Sequence, residues 1–318
     1  MNETSRPAAS IDKIESVMRT ELAHGDALIG TIIPIMRHLV TNDDSSVFSE
    51  EMVARTRAML EHVAWQLLVA QAEAAGTDKP HDCSRDDVAA LLGLLSADSL
   101  MLAHIHALAA EWQLTERLHA RLGLDPLLSP LLLALIASSD ATTASAAMNL
   151  LAAQARFAQT QRRMQLPLVE LPADLLHAAL MALRAHFGPD DAAAVKAERA
   201  IASEFDESRG RLGLMARLLL SMGGGAQAAL AVSHAGAALF LTALSLATGQ
   251  ERCLTVLLTN EAQVARLALA LAAAGLKQSA IEEQFLAMHP DVSLPEGFDA
   301  LDPDHAAAVL ASGAGYPV

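Results

Sequence analysis

Arginine residues in an otherwise acidic chain are the strongest candidate for a binding function. Arg156, Gln159 and Arg163 recur at positions i, i+3 and i+7, a spacing that places all three on one face of a helix. Arg184 follows farther along the chain. Because a guanidinium group binds a carboxylate or a phosphate through paired hydrogen bonds, the spacing predicts a face that binds an acidic protein segment or a small anion. The alternative is a solvated face whose arginines pair with the chain's own acids, which would contribute little energy.

The histidines and cysteines form no pattern typical of a metal site. His104 and His106 lie two residues apart, so on a helix they would point to different faces, and the sequence contains no His-x-x-x-His pair. Cys83 and Cys253 have no partner pattern either. We therefore expect no metal ion or other cofactor, and we expect histidines that are exposed or hydrogen-bonded.

No motif in the sequence is typical of a catalytic site. The serines have no Gly-x-Ser-x-Gly frame for a nucleophile, and Gly223–Gly225 are not followed by the Gly-Lys-Ser/Thr of a nucleotide loop. These glycines would hold an anion at a helix N-terminus or form a turn between two apolar helices. His289 precedes a proline that ends a helix, whereas a phosphotransfer histidine should stand exposed in the middle of one. We predict no catalytic residue, and whether the chain is an enzyme stays open.

The composition is typical of an all-α protein. Hydrophobic residues make up 53% of the chain but aromatic residues only 3%, and Ala and Leu dominate over the residue types that favour strands. Capping residues and glycine or proline stops recur between apolar stretches. These features predict an irregular α-solenoid or a multi-helix bundle of about 12–14 helices.

Polar breaks divide the chain into three predicted parts. Residues 10–76 form an N-terminal helical subdomain, residues 84–290 a larger helical domain and residues 291–318 a mostly irregular tail. The first part should contain three helices: the second is bent at Pro34 or begins there, and Ser49 caps the third.

Further helix boundaries are indicated in the second part. Ser84, Ser129 and Asp140 stand where the N-caps of three helices should lie. The charged stretch Lys196–Arg211 separates the last group of helices from the earlier ones, and one helix of that last group is expected over residues 226–247.

One apolar segment is long enough to cross a bilayer. Between Arg217 and Glu251 no Asp, Glu, Lys or Arg occurs. Glycines and polar residues interrupt the segment, which favours two short buried helices over one membrane span. Leu239 and Phe240 are then core residues, and no integral membrane segment is predicted.

Charge and cysteine content limit the partners and the location. The formal net charge of −15 repels phosphate backbones and anionic lipids, so we expect no binding to nucleic acid. Two cysteines far apart in the sequence fit a reducing environment, and the N-terminus has no apolar signal core. We expect a cytoplasmic protein, and the sequence leaves its oligomeric state open.

Two stretches of small and aliphatic residues resemble a known family. The first joins Ala152–Phe157 to Leu171–Leu175, and the second joins Ala238–Leu244 to Leu267–Leu276. The second resembles the C-terminal half of a bacterial helical family called domain of unknown function 2336, found mainly in alphaproteobacteria. The resemblance covers roughly residues 85–290. It implies a HEAT-like, cytoplasmic helical protein and carries over no catalytic residue.

Two functions are compatible with these patterns. The first is a non-catalytic interaction, scaffold or regulatory protein, because stacked helices provide extended surfaces for binding another protein. The second is a helical small-ligand receptor or enzyme with a pocket between helices. An open surface favours the first function, and a closed apolar pocket with inward Arg, His or Glu favours the second.

Overall fold

The computed structural model of the chain describes residues 6–41 and 50–313. In these ranges the regular structure is helical, with fourteen α-helices, five short 3-10 helices and no strand. The all-α, multi-helix fold class is therefore confirmed. The α-helices are α1 (Arg6–Thr41), α2 (Glu50–Ala75), α3 (Arg85–Ala97), α4 (Ser99–Leu122), α5 (Pro130–Ile136), α6 (Ala141–Arg162), α7 (Ala173–Phe187), α8 (Ala192–Glu204), α9 (Arg211–Ser221), α10 (Val232–Thr248), α11 (Arg252–Leu257), α12 (Val264–Ala273), α13 (Gln278–Met288) and α14 (Pro303–Ala311). The 3-10 helices are Leu168–Glu170, Glu207–Arg209, Gly223–Leu230, Glu261–Gln263 and Phe298–Ala300.

The described residues form two compact units. Unit 1 contains the described residues of Met1–Ile32, Ala110–Leu151 and Met215–Pro317. Unit 2 contains the described residues of Ile33–Ala109 and Ala152–Leu214. Each unit thus collects residues from distant parts of the sequence.

The helix starts follow the predicted capping chemistry. Each of three helices begins with a side chain that accepts a hydrogen bond from a backbone N–H of the first turn. The N–O distance is 3.1 Å at Ser84 of α3, 3.3 Å at Ser129 of α5 and 2.9 Å at Asp140 of α6. These bonds satisfy donors that a helix start otherwise leaves without a partner. The predicted cap at Ser49 lies outside the described residues.

Unit 1 is organised around α10. Its side chains Leu239, Phe240 and Leu244 are buried, as predicted, and α10 packs against α5, α11, α12 and α13. The short helix α14 packs against α12 through the buried side chains of Ala306 and Val309. The C-terminal part of the chain therefore contributes to this core.

Polar contacts join α1 to the start of α12 and to the 3-10 helix before it, inside unit 1. Arg266 forms an ion pair with Asp26, and Gln263 donates a hydrogen bond to the Gly25 carbonyl at 2.7 Å. A Cβ atom at Gly25 would lie 2.8 Å from the terminal amide of Gln263, so a larger residue here would displace that side chain from its hydrogen bond.

Unit 2 is organised around α2. Met59, Leu60, Val63 and Leu67 are buried on this helix, which packs against α3, α7 and α8. The spacing of these side chains is that of an amphipathic helix, and their burial removes apolar surface from water.

The first helix differs from its prediction. Two helices were expected here, the second bent at Pro34 or beginning there, whereas α1 is one helix that continues through this residue. Pro34 is exposed, and Ile29, Ile33 and Met36 on either side of it are buried on one face. The proline removes one backbone hydrogen bond, and the packing of the buried face compensates for that loss.

The charged stretch Lys196–Arg211 is largely helical and leads into α9. Most of it belongs to α8, where Asp191 accepts the Ala194 N–H at 2.6 Å as an N-cap. Ala194 and Ala197 are buried while Arg199 is exposed. The charges within α8 therefore belong to the polar side of an amphipathic helix, whereas Arg211 is buried in α9.

The segment expected as one helix over residues 226–247 is two elements. Gly223–Leu230 form a 3-10 helix, and α10 begins only at Val232, whose N–H donates to the Gln284 side chain at 2.8 Å. Within α10, Gly236 adopts φ 71° and ψ 168°, which interrupts the helix. The predicted turn at Gly223–Gly225 is thus the start of a 3-10 helix, as glycines disfavour a regular α-helix.

Membrane-spanning potential is limited to bent helix pairs. Within residues 6–41 and 50–313 no single helix is long and apolar enough to cross a bilayer. Two bent pairs, Arg85–Ala97 with Ser99–Leu122 and Gly223–Leu230 with Val232–Thr248, meet that requirement by length and composition only.

Candidate functional site

The candidate binding face lies on α6 and the turn that follows it. Ala153 and Phe157 are buried on one side of this helix, while Arg156 and Gln159 are exposed on the other. This separation follows from the helical repeat, which directs residues three and four apart to one face. The structure therefore places two of the four predicted site residues side by side on the surface.

The third predicted residue, Arg163, is held directly after the end of α6. The Arg163 N–H donates to the Thr160 carbonyl at 3.0 Å, and Met164 takes a left-handed conformation with φ 54°. Arg55 from α2 donates to the Gln161 carbonyl at 2.6 Å, which fixes the last turn of the helix. Arg163 is exposed at this fixed end.

The segment that carries these residues contains no acidic side chain. Between Ala141 and Val169 there is no Asp or Glu, and the charged residues are Arg156, Arg162 and Arg163. All three are exposed, and none forms an ion pair with another described residue. In a chain of net charge −15, this is a local excess of positive charge with unused hydrogen-bond donors.

Several other arginines of the chain are engaged with its own acids. Arg57 pairs with Glu61 at 3.0 Å, and Arg252 pairs with Glu111 at 2.9 Å. The α6 arginines differ from these two, because they have no carboxylate partner among the described residues. A second role is available to Arg162 and Arg163, because a positive charge near a helix C-terminus stabilises the helix.

Arg184, the fourth predicted residue, has structural partners. It lies on α7 and forms an ion pair with Glu198 of α8 at 2.8 Å, and it donates to the Pro189 carbonyl at 2.9 Å. These contacts join two neighbouring helices of unit 2. Arg184 is therefore less available to an external anion than the α6 residues.

Three histidines are buried, and one of them, His106, differs from the expectation of exposed or hydrogen-bonded rings. His104, His106 and His289 are all buried, and the Nδ1 atom of His106 has no hydrogen-bond partner among the described residues. Burial disfavours the imidazolium form and lowers the pKa of His106 to about 4. Burial also lowers the pKa of His289, and the charge of the nearby Arg117 acts in the same direction. The His106 ring is therefore neutral near pH 7.

A buried ion pair was not indicated by the sequence. Glu111 is fully buried in unit 1, where its carboxylate accepts from Arg252, and Arg252 also donates to the Thr242 hydroxyl at 3.3 Å. Such a pair is stable only when both charges are hydrogen-bonded. Apolar periodicity gives no signal for it, because the two residues come from distant helices.

An open apolar groove occurs in unit 1. Its volume is about 440 Å³, and no charged or histidine side chain among the described residues lines it. It lies between the end of α9, the 3-10 helix Gly223–Leu230, the second half of α10 and Ala274. The lining residues are Leu219, Leu220, Gly223, Gly224, Ala226, Gln227, Leu230, Ala243, Leu246, Ala247 and Ala274. The groove can hold apolar groups but provides no titratable group for catalysis.

The described residues do not assemble a metal site. No group of three or more His, Cys, Asp or Glu side chains within residues 6–41 and 50–313 is arranged to hold a metal ion. The cysteines Cys83 and Cys253 are both half-buried and form no disulfide.

Comparison with protein-family models, with curated proteins and with solved structures gives no match. The resemblance to domain of unknown function 2336 therefore stays a prediction.

Proposed function

We propose that this chain is a non-catalytic helical protein of the cytoplasm that binds another protein, with the arginine face of Arg156, Gln159 and Arg163 as its binding site. The supporting observation is that the arginines of this face are exposed and lack an acidic partner in a strongly acidic chain. A guanidinium group without a carboxylate partner keeps its donors for an external one. The proposed partner is an acidic protein segment.

A nucleic-acid partner is less compatible with the charges. A long phosphate polymer would extend past the small area of the arginine face. The rest of the chain, with its net charge of −15, would then repel the polymer. An acidic segment of a few residues contacts the face alone. Gln159 would add amide donors and an acceptor for the backbone of such a segment.

The HEAT-like repeat organisation belongs to the same proposal. Helical repeats present extended surfaces to protein partners, and the family resemblance implies such an arrangement. The open apolar groove supports the same class of function, because it lacks the inward charged side chains that a small-ligand receptor or an enzyme would need.

Affinity purification with charge-reversed variants tests this proposal. The tagged wild-type protein and the double variant Arg156→Glu/Arg163→Glu would be recovered from the native cell and their partners compared by quantitative mass spectrometry. We expect a stoichiometric partner with wild type that is lost with the double variant, since each charge-assisted hydrogen bond contributes about 1.5–3 kcal/mol.

The chain offers a matched control for this experiment. Arg199 and Arg209 are also exposed in unit 2, so Arg199→Glu/Arg209→Glu makes the same change in net charge at other positions. The control should keep the partner. Equal loss with both variants, or retention with both, would refute the assignment of the site to α6, and equal thermal melting of all three proteins excludes unfolding as the cause.

A further inference from the structure

His289 is a buried histidine at the junction between α13 and the C-terminal segment of unit 1. It is the C-cap residue of α13, and its backbone N–H donates to the Phe285 carbonyl at 2.6 Å. The Val292 N–H donates to the His289 carbonyl at 3.1 Å, which begins the turn toward α14. The His289 side chain is only 3% exposed, and its Nε2 atom has no hydrogen-bond partner among the described residues. A proton on this atom would therefore have no acceptor in the folded chain.

Two arginines of α4 contact the same helix end. Arg121 donates to two carbonyls in the last turn of α13, at 3.2 and 3.3 Å, and Arg117 donates to the Thr259 carbonyl at 3.4 Å. These bonds join α4 to α13 and to the residues that follow α11. They also place two permanent positive charges close to the His289 ring.

The surroundings of the His289 ring disfavour its protonation. Burial is the largest effect, and the charges of Arg117 and Arg121 act in the same direction, so that the pKa of His289 lies below its ordinary value of 6.5. Glu261, in the 3-10 helix before α12, and the hydrogen bond to the Thr259 carbonyl act in the opposite direction. Among the described residues, a protonated ring would thus add a third positive charge next to a single carboxylate.

We propose that His289 is a proton-sensitive latch, which holds the end of α13 against α4 and anchors the segment that leads from Pro290 to α14. The neutral ring stays buried beside the arginines. A protonated ring is more stable in water, where its Nε2–H group finds an acceptor and the repulsion by the arginines is screened. The end of α13 then separates from Arg121. The opening is local, because the C-terminal segment keeps the buried side chains Phe298 and Val309.

The direction of the pH dependence follows from the two positions of the ring. In the open form the ring is exposed and has its ordinary pKa of 6.5, whereas in the closed form its pKa is lower. The closed form is therefore fully favoured above pH 6.5 and loses stability relative to the open form as the pH falls below that value. This inference does not depend on the arginine face, which belongs to unit 2.

Methyl NMR of the purified full-length chain, labelled at its methionine methyl groups, tests the proposal. Met288 is buried next to His289 in the sequence and reports on the end of α13. Between about pH 8 and 5, its signal should shift with a midpoint below pH 6.5, and the methyl group should become accessible to a soluble paramagnetic agent. His289→Leu should remove this response. His106→Leu is the matched control, because it replaces another buried histidine, in unit 2, and should keep the response.

Two charge variants provide a second readout, which also decides the matter if His289→Leu does not fold. Arg117→Gln removes a repelling charge and should move the midpoint to higher pH, whereas Glu261→Gln removes the attracting charge and should move it to lower pH. A Met288 methyl group that stays inaccessible at low pH, a response that persists in His289→Leu, or midpoint shifts of the same sign in the two charge variants would overturn the proposal. Circular dichroism melting at both ends of the pH range separates opening of the latch from loss of the fold.

Discussion

Gly236 allows a sharp test of the packing of unit 1. Its torsion angles, φ 71° and ψ 168°, lie in a region that is essentially restricted to glycine, and they divide α10 in two. A Cβ atom at this position would lie 3.3 Å from the Cβ of Ser129, the buried N-cap of α5. Substitution by alanine therefore strains the backbone and also presses on the start of a second helix.

The magnitude follows from these two terms. A side chain held in such a backbone conformation costs about 1–3 kcal/mol, and overpacking against a fixed neighbour costs about 1–3 kcal/mol more. Part of the second cost is relieved by small shifts, so Gly236→Ala should lower the free energy of unfolding by about 2–4 kcal/mol. The measurement is urea unfolding followed by circular dichroism, with the midpoint and the slope fitted separately.

Gly30 is the control for this substitution. It lies within α1, where an added Cβ would meet nothing within 4 Å. Gly30→Ala should stabilise the protein by about 0.5–1 kcal/mol, because alanine favours the helix and restricts the unfolded chain. A Gly236→Ala variant that is as stable as wild type would refute the described path of the backbone through α10.

Two further predictions concern buried groups. Leu239→Asp should destabilise the protein by about 4 kcal/mol or more, because the aspartate would replace a buried leucine of α10 and its charge would have no partner. A thermal melt like that of wild type would show that the segment is not core. His106 has its ordinary pKa of 6.5 in the unfolded chain and a pKa of about 4 in the folded chain. The stability contributed by the neutral ring should therefore be complete above pH 6.5 and should be lost as the pH falls toward 4, because the unfolded chain binds the proton first. The difference between the two pKa values corresponds to about 3 kcal/mol of stability. The urea midpoint should therefore fall more steeply between pH 7 and 4 for wild type than for His106→Leu. Parallel pH profiles of the two proteins would contradict the lowered pKa of His106.

Local features of the fold could be predicted because their causes are local. Ser84, Ser129 and Asp140 cap helices through bonds to residues two or three positions away, so the sequence contains both partners. The buried positions of α10 followed from the absence of charge between Arg217 and Glu251.

Features that depend on distant residues could not be predicted in this way. Pro34 indicates a break by its own chemistry, and the continuity of α1 depends on tertiary packing, which the local pattern does not show. Glu111 and Arg252 lie 141 positions apart, so neither predicts the other. The pairing of Arg184 with Glu198 could not be predicted either, because Glu198 lies in a charged stretch that did not indicate the helix α8.

The central claim is that the arginine face binds an acidic protein segment, and the most direct measurement is fluorescence anisotropy with a labelled glutamate-rich peptide as the probe. We predict saturable binding to the wild-type chain that weakens with added salt, that falls by about tenfold or more with Arg156→Glu/Arg163→Glu and that persists with Arg199→Glu/Arg209→Glu. Inorganic phosphate as a competitor tests whether a small anion occupies the same site, and duplex DNA should not compete. Binding of the peptide with equal affinity to all three proteins, or to none of them, would contradict the account.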